Sequence, residues 1–163
     1  MKRKYLILFS LSGLILCLDQ LTKHLVKMNL EGGSISLAEP FLSLRYVPNS
    51  GFAFGLFHRV PEPLKDVFFI GVPIFALILI VLIFIKLQDN QMMTSIALTS
   101  ILGGAVGNLI DRIHHGYVID FLDVHWGNIF HLPPSNVADF AIIIGVLIMF
   151  LTTLMQDRVR QLG

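Results

Sequence analysis

The sequence predicts an all-α membrane protein: four transmembrane helices carrying a small extracytoplasmic β-sheet. Two observations lead there. Of 163 residues, 55% are hydrophobic and only 14% charged, with a mean hydropathy of +0.75. Four separate apolar runs each approach the length of about 20 residues that a helix needs to cross a bilayer. The length suits one domain, taken as residues 1–163. A net charge of +1 gives no reason to expect a nucleic-acid partner.

The first run is Tyr5–Val26, interrupted near its end by Asp19, Lys23 and His24. Behind Met1-Lys2-Arg3-Lys4 it looks like a signal peptide, and Cys17 even suggests a lipoprotein signal. Leu16 precedes that cysteine where such a site wants a small residue, and three more apolar runs follow. The segment is therefore read as a first membrane helix. Cys17 is read as a buried, inert thiol, since no second cysteine exists to pair with it.

The second run, Val67–Ile85, has no charge at all, and Pro73 is expected to bend it. The third, Met92–Ile110, is rich in glycine and alanine, and the fourth is Val137–Met155. Of the connections, Lys27–Asp66 is long, Lys86–Gln91 is a tight hairpin and Asp111–Asn136 is of medium length. Within the long one, Phe41–Val47 partly alternates and reads as a strand. Lys2, Arg3, Lys4, Lys86, Arg158 and Arg160 flank one set of helix ends, which places both termini in the cytoplasm.

That topology gathers the polar groups at one depth. Asp19 and Lys23 fall at the outer end of the first helix. Asn108, Asp111 and Arg112 fall at the outer end of the third, and Asp139 at the outer start of the fourth. Asn49 and Asp120 belong to the two outer loops. The cytoplasmic halves of the helices are apolar. A transport path would spread polar groups through the full thickness, so a proton-coupled transporter or channel is the weaker reading.

Asp19 and Lys23 stand at i, i+4 in the favourable order for an ion pair, which is enough to staple helices with no chemistry. Asn108, Asp111 and Arg112 share a helical face. There Arg112 either pairs with Asp111 or holds a substrate carbonyl or lipid headgroup. Gly103 and Gly107 form a GxxxG step that admits another backbone. Asp139 follows Asn136 as the third residue of a capped helix start, where the helix dipole favours negative charge. A membrane scaffold would need no more than that cap. If Asp120 lies close by, the two carboxylates cannot both ionise easily and share one proton. Such a pair activates water, one group taking its proton while the other donates to a carbonyl oxygen, as in aspartic proteases.

Other hydrolytic schemes lack their residues. There is no HExxH and no serine in a G-x-S-x-G turn. His114 and His115 are adjacent and read as interfacial, while His125 and His131 flank Trp126 and read as surface groups. No metal and no cofactor are expected.

Five segments, in order and nearly end to end, resemble the bacterial lipoprotein signal peptidase family, signal peptidase II. They are Asp19-Gln20-Leu21-Thr22-Lys23, Asn49-Ser50-Gly51-Phe52-Ala53-Phe54-Gly55, Gly103–Arg112, Val118-Ile119-Asp120-Phe121 and Asn136-Val137-Ala138-Asp139. The resemblance implies a short outer helix besides the sheet. It implies an aspartic endopeptidase that cuts a prolipoprotein before its diacylglyceryl-modified cysteine and is open to globomycin-type inhibition. Asp120 and Asp139 carry over as the catalytic dyad. Asn49, Gly51, Asn108, Asp111, Arg112 and Asn136 carry over as residues lining or bracing the site, with Asp19 and Lys23 in the first motif. The implied partners are prolipoproteins and membrane lipids, with the chain a monomer. The loop Asn49–His58, with Phe52, Phe54 and Phe57, either closes over substrate as a lid or dips its aromatic side chains into the bilayer interface. Two departures stand out: Ser135 where the family has Phe, and Pro48 where Arg is common. Both bear on local loop shape.

Overall fold

The computed structural model describes residues 2–51, 64, 67–126 and 130–162. Four helices form the body: α1, Arg3–Leu30; α2, a π turn at Val67–Gly71 continuing as α-helix through Val72–Lys86; α3, Met92–His115; and α4, Val137–Leu162. Each contains a stretch long and apolar enough to span a membrane. Each also runs past the apolar run that announced it, because hydropathy marks the bilayer and not the end of hydrogen bonding. Phe9, Ile78, Ile143 and Leu147 are among the large apolar side chains left exposed on the helices, the surface that acyl chains would cover. Cys17 belongs to that surface too; it is exposed, not buried.

Pro73 lies just after the π turn at Val67–Gly71. It sits in the first turn of the α-helical part, where its missing N–H is no loss. The other end of α2 is capped by a buried cation: Lys4 Nζ donates to the carbonyls of Ile85 (3.0 Å) and Leu87 (2.6 Å). A lysine at a helix C-terminus satisfies orphan carbonyls and opposes the dipole. This contact ties the start of α1 to the end of α2, with the hairpin 87–91 at the same end of the bundle.

α3 is the central helix, packed mainly against α4 and α1. Glycine makes that possible. A Cβ on Gly103 would press on the Ser12 and Ile15 atoms of α1, one on Gly107 on the Asp19 carboxylate, and one on Gly104 on the Ala138 carbonyl of α4. From α4, Gly145 returns the close approach to Ala97 and Ile101. Gly103 and Gly107 thus do admit neighbouring helices.

At the opposite end the chain builds a four-stranded antiparallel sheet, in order β1 (Ser34–Ala38), β2 (Leu42–Asn49), β3 (Val118–Trp126), β4 (Phe130–His131). The strand expected at Phe41–Val47 is β2, one residue shifted at the start. The sheet is larger than anticipated: Asn49 and Asp120, assigned to loops, lie on adjacent strands, with Asn49 paired to Val118 and Val47 to Asp120. Among the described residues β1 pairs with β2 only as far as Arg45, so Pro48 lies past that pairing, where a lost donor is tolerated. Ser135 bonds β3 through its backbone alone, its carbonyl accepting from Phe121 (3.0 Å) and Leu122 (2.9 Å). The change of side chain there is therefore absorbed. Val26 and Leu30 of α1 pack under Phe121, seating the sheet on the bundle. Beyond Gly51, the expected lid over Asn49–His58 lies outside the described residues, as does any short outer helix.

Gly104→Ala should cost about 1–3 kcal/mol by overpacking against the Ala138 backbone. Gly13→Ala, whose new methyl would meet nothing within 4 Å, should be neutral or mildly stabilising. Unfolding midpoints in detergent compare the two, and equal losses would contradict the close approach of α3 and α4.

Candidate active site

α1, α3, β3 and the start of α4 meet where helices give way to sheet, and their polar side chains form one connected network. Its centre is Lys23, 2% exposed. The ammonium pairs with Asp19 at 2.8 Å and Asp111 at 2.9 Å, and donates to Asn108 Oδ1 at 2.9 Å. An ammonium has three protons and no acceptor, and here each has a partner. Gln20, quoted within the first motif but given no role, closes the arrangement. Its amide donates to Asp111 Oδ1 (3.0 Å), Asp19 Oδ2 (3.2 Å) and the Gly107 carbonyl (3.2 Å). The sequence signal was its place between Asp19 and Lys23 in an otherwise apolar helix.

The acids also grip backbone. Asp19 accepts from the Ala138 N–H (2.9 Å), and Asp111 from the Ile119 N–H (3.0 Å). One anion thereby fixes the start of α4 and the other the start of β3. Between α3 and β3 the chain turns on Gly116, at φ +77°, whose N–H returns to the Arg112 carbonyl.

The two candidate carboxylates hang from those anchored elements. Asp120, on β3, is 1% exposed; Asp139, in the first turn of α4, is half-buried. They do not hydrogen-bond each other. Asn136 links them: its Nδ2 donates to Asp120 Oδ1 (2.6 Å), and its backbone N–H donates to Asp139 Oδ2 (3.2 Å). Its Oδ1 accepts from the Asp139 N–H (2.9 Å), completing a reciprocal helix cap. Asn108 Nδ2 donates to Asp139 Oδ1 at 2.8 Å, while its own oxygen faces Lys23. Asn49 Nδ2 donates to Asp120 Oδ2 at 2.7 Å. The Asn49 oxygen accepts from the Gly51 N–H (2.8 Å) in a turn for which Gly51 adopts φ +72°. All four carboxylate oxygens therefore receive a donor.

The surroundings of the two acids differ. Burial pushes the Asp120 carboxyl up to about 6; the nearby Asp139 charge adds to this, and the bonds from Asn49 and Asn136 oppose it.

One sequence expectation changes. Asp111 pairs with Lys23, not with its neighbour Arg112, because successive residues on a helix point about 100° apart. Arg112 is half-buried and makes no hydrogen bond or ion pair among the described residues, though it lies in electrostatic reach of Asp139, Asp111 and Asp120. Both ends of the Asn49 amide are engaged, at Asp120 and at Gly51. A cavity of about 480 Å³ opens beside Lys23, His24, Lys27 and His115, but neither Asp120 nor Asp139 lines it.

Four spanning helices, a small sheet and an amide-braced aspartate pair at their junction define a multi-pass membrane protein with a polar centre built around two carboxylates. Residues 11–155 match the family model described as signal peptidase (SPase) II. The lipoprotein signal peptidase of Syntrophus aciditrophicus (strain SB) is 40% identical over 158 residues, covering 96% of this chain and 98% of the relative. That of Geobacter metallireducens (strain ATCC 53774 / DSM 7210 / GS-15) is 40% identical over 159 residues, covering 97% and 96%. A solved structure described as a bacterial membrane enzyme superposes with a TM-score of 0.78 at 31% identity, over 93% of this chain and 92% of the other. The chain belongs to the signal peptidase II family, and with its four spans it is a multi-pass bacterial membrane protease.

Lys23→Met should leave Asp19 and Asp111 buried without a counter-charge and cost about 3–5 kcal/mol. Denaturant titration of the purified protein measures this; a loss under about 1 kcal/mol, the size of an exposed pair, would show that the network is not a structural centre.

Proposed function

We propose that this protein removes signal peptides from prolipoproteins, cutting before the diacylglyceryl-modified cysteine, with water activated by Asp120 and Asp139. The observation that carries the reading is the shared bracing of two unlike acids: one buried on a strand, one more open at a helix start, with Asn136 bonded to both. Family membership supplies the substrate class. The aspartate assignment rests on the geometry.

In this scheme Asp139, the more accessible acid, takes a proton from the attacking water. Asp120, whose burial favours the neutral form, gives its proton to the scissile carbonyl oxygen. The tetrahedral intermediate then collapses: the proton held by Asp139 passes to the departing cysteine amine, the C–N bond breaks, and a hydroxyl of the gem-diol returns its proton to Asp120. No covalent enzyme intermediate forms. Arg112, with no hydrogen-bond or ion-pair partner among the described residues, holds a substrate carbonyl or the lipid headgroup. Asn49, Gly51, Asn108 and Asn136 keep the acids aligned, and Asp19, Lys23 and Asp111 keep their helices aligned.

A lipid-modified cysteine is held by its acyl chains at the membrane surface, so the scissile bond lies at headgroup depth. The aspartates sit at that depth, at the sheet end of the helices. The basic residues at the other end support cytoplasmic termini and an extracytoplasmic site. The chain acts as one peptidase domain, as a monomer among membrane lipids, without nucleic acid or cofactor.

Purified protein in detergent, given a diacylglyceryl-modified prolipoprotein, should convert it to the shorter form on a gel. Asp120→Asn and Asp139→Asn should each abolish conversion while unfolding like wild type. Near-normal turnover in either folded variant would make that aspartate structural.

The pH profile supplies a second check. The acid role needs Asp120 protonated, so kcat/KM should fall as pH rises through about 6. The Asn49 bond holds the Asp120 pKa down, so Asn49→Ala should move that limb to higher pH. A limb that stays put, or moves lower, would rule out Asp120 as the acid.

A further inference from the structure

We propose that Asp123, His125 and His131, at the β3–β4 end of the sheet, bind a divalent transition metal, Zn²⁺ being the probe of choice. This departs from the sequence expectation of two surface histidines and no metal. His131 is indeed exposed, but His125 is half-buried.

The three residues converge because of the sheet. His125 and His131 are directly paired across β3 and β4, and Asp123 precedes His125 by two positions on the same face of β3. One ligand atom from each lies within 4.8 Å of the other two. The imidazole rings stack 5.7 Å apart, their planes inclined by 19°.

The acceptor atoms point to a missing partner. Asp123 is 4% exposed. Arg45 Nε lies 2.8 Å from Oδ2, close enough to pair in charge but not aligned to hydrogen-bond, and among the described residues Oδ1 receives no hydrogen bond. Nδ1 of His125 is likewise shielded from solvent and without a hydrogen-bond partner among the described residues. Unpaired buried polar atoms are costly and call for an explanation. Nδ1 of His131 faces the Leu132 carbonyl at 3.2 Å. A carbonyl can only accept, so that nitrogen carries the proton, and in the neutral ring Nε2 is the one with a free lone pair. A ligating histidine is commonly fixed in this way. Nε2 stands 3.5 Å from Asp123 Oδ1, close to the spacing of about 3.3 Å between ligands bound at 2.0–2.1 Å around a tetrahedral ion.

Two imidazoles and one carboxylate suit Zn²⁺, with a fourth position left for water; Ca²⁺ and Mg²⁺ prefer oxygen alone. A bound ion would clip β4 to β3 within the segment that joins Asp120 to Asn136. The competing reading is a protonated His131 paired with Asp123, which needs no metal.

The test uses the full-length protein in detergent, carrying no histidine tag, stripped with EDTA and titrated with ZnCl₂ by calorimetry. The expected result is one Zn²⁺ per chain with a Kd of about 10 µM or tighter. His125→Ala and His131→Ala should each weaken binding by about tenfold or more, and the double variant His114→Ala/His115→Ala should bind as wild type does. Zn²⁺ should raise the unfolding midpoint of wild type but not of His131→Ala. In EDTA the two should unfold alike, since His131 is a surface substitution. No saturable binding up to about 100 µM Zn²⁺, or binding that survives both His125→Ala and His131→Ala, would overturn the proposal.

Discussion

One buried ammonium holds this protein together. Lys23 lies inside a membrane bundle, where an unpaired charge costs several kcal/mol, and its three donors reach two helices and both flanking acids. Asp19 and Asp111 pass the constraint on: each spends its remaining capacity on a backbone N–H at the start of the next element, Ala138 in α4 and Ile119 in β3. A helix start and a strand start that are far apart in sequence are thereby referred to the same nitrogen atom. The aspartates one residue beyond each of these anchors, Asp139 and Asp120, inherit their positions from it.

This arrangement explains why the helices were legible and the sheet mostly was not. Spanning helices declare themselves by composition, so their existence and order followed from the apolar runs. Their ends did not, because Asp111–His115 and Gln156–Leu162 are helical although mostly polar. β3 hid for a different reason. Val118, Ile119, Asp120 and Phe121 are all buried, so both faces of the strand are covered and no period of two survives. β2, only half-buried along Leu42–Val47, left a partial alternation in its sequence that could be read.

The site was legible in its membership and not in its wiring. Asp19, Lys23, Asn49, Asn108, Asp111, Asn136, Asp120 and Asp139 were all singled out, and all join one network. Sequence adjacency suggested Arg112 as the partner of Asp111. The actual partner lies on another helix, which no local spacing can reveal. The same limit hid the meeting of Asp123, His125 and His131, since only the pairing of β4 with β3 brings His131 back beside His125.

The links on both sides of the aspartates are carboxamides. Asn49, Asn136 and Asn108 hold the carboxylates by fixed N–H donors, and an amide neither takes nor releases a proton under ordinary conditions. The surrounding network is thus an insulator: it sets where charge sits without offering a wire along which a proton could leak to Asp19 or Asp111. Any proton moving between Asp120 and Asp139 has to travel through whatever occupies the space they face, water or peptide.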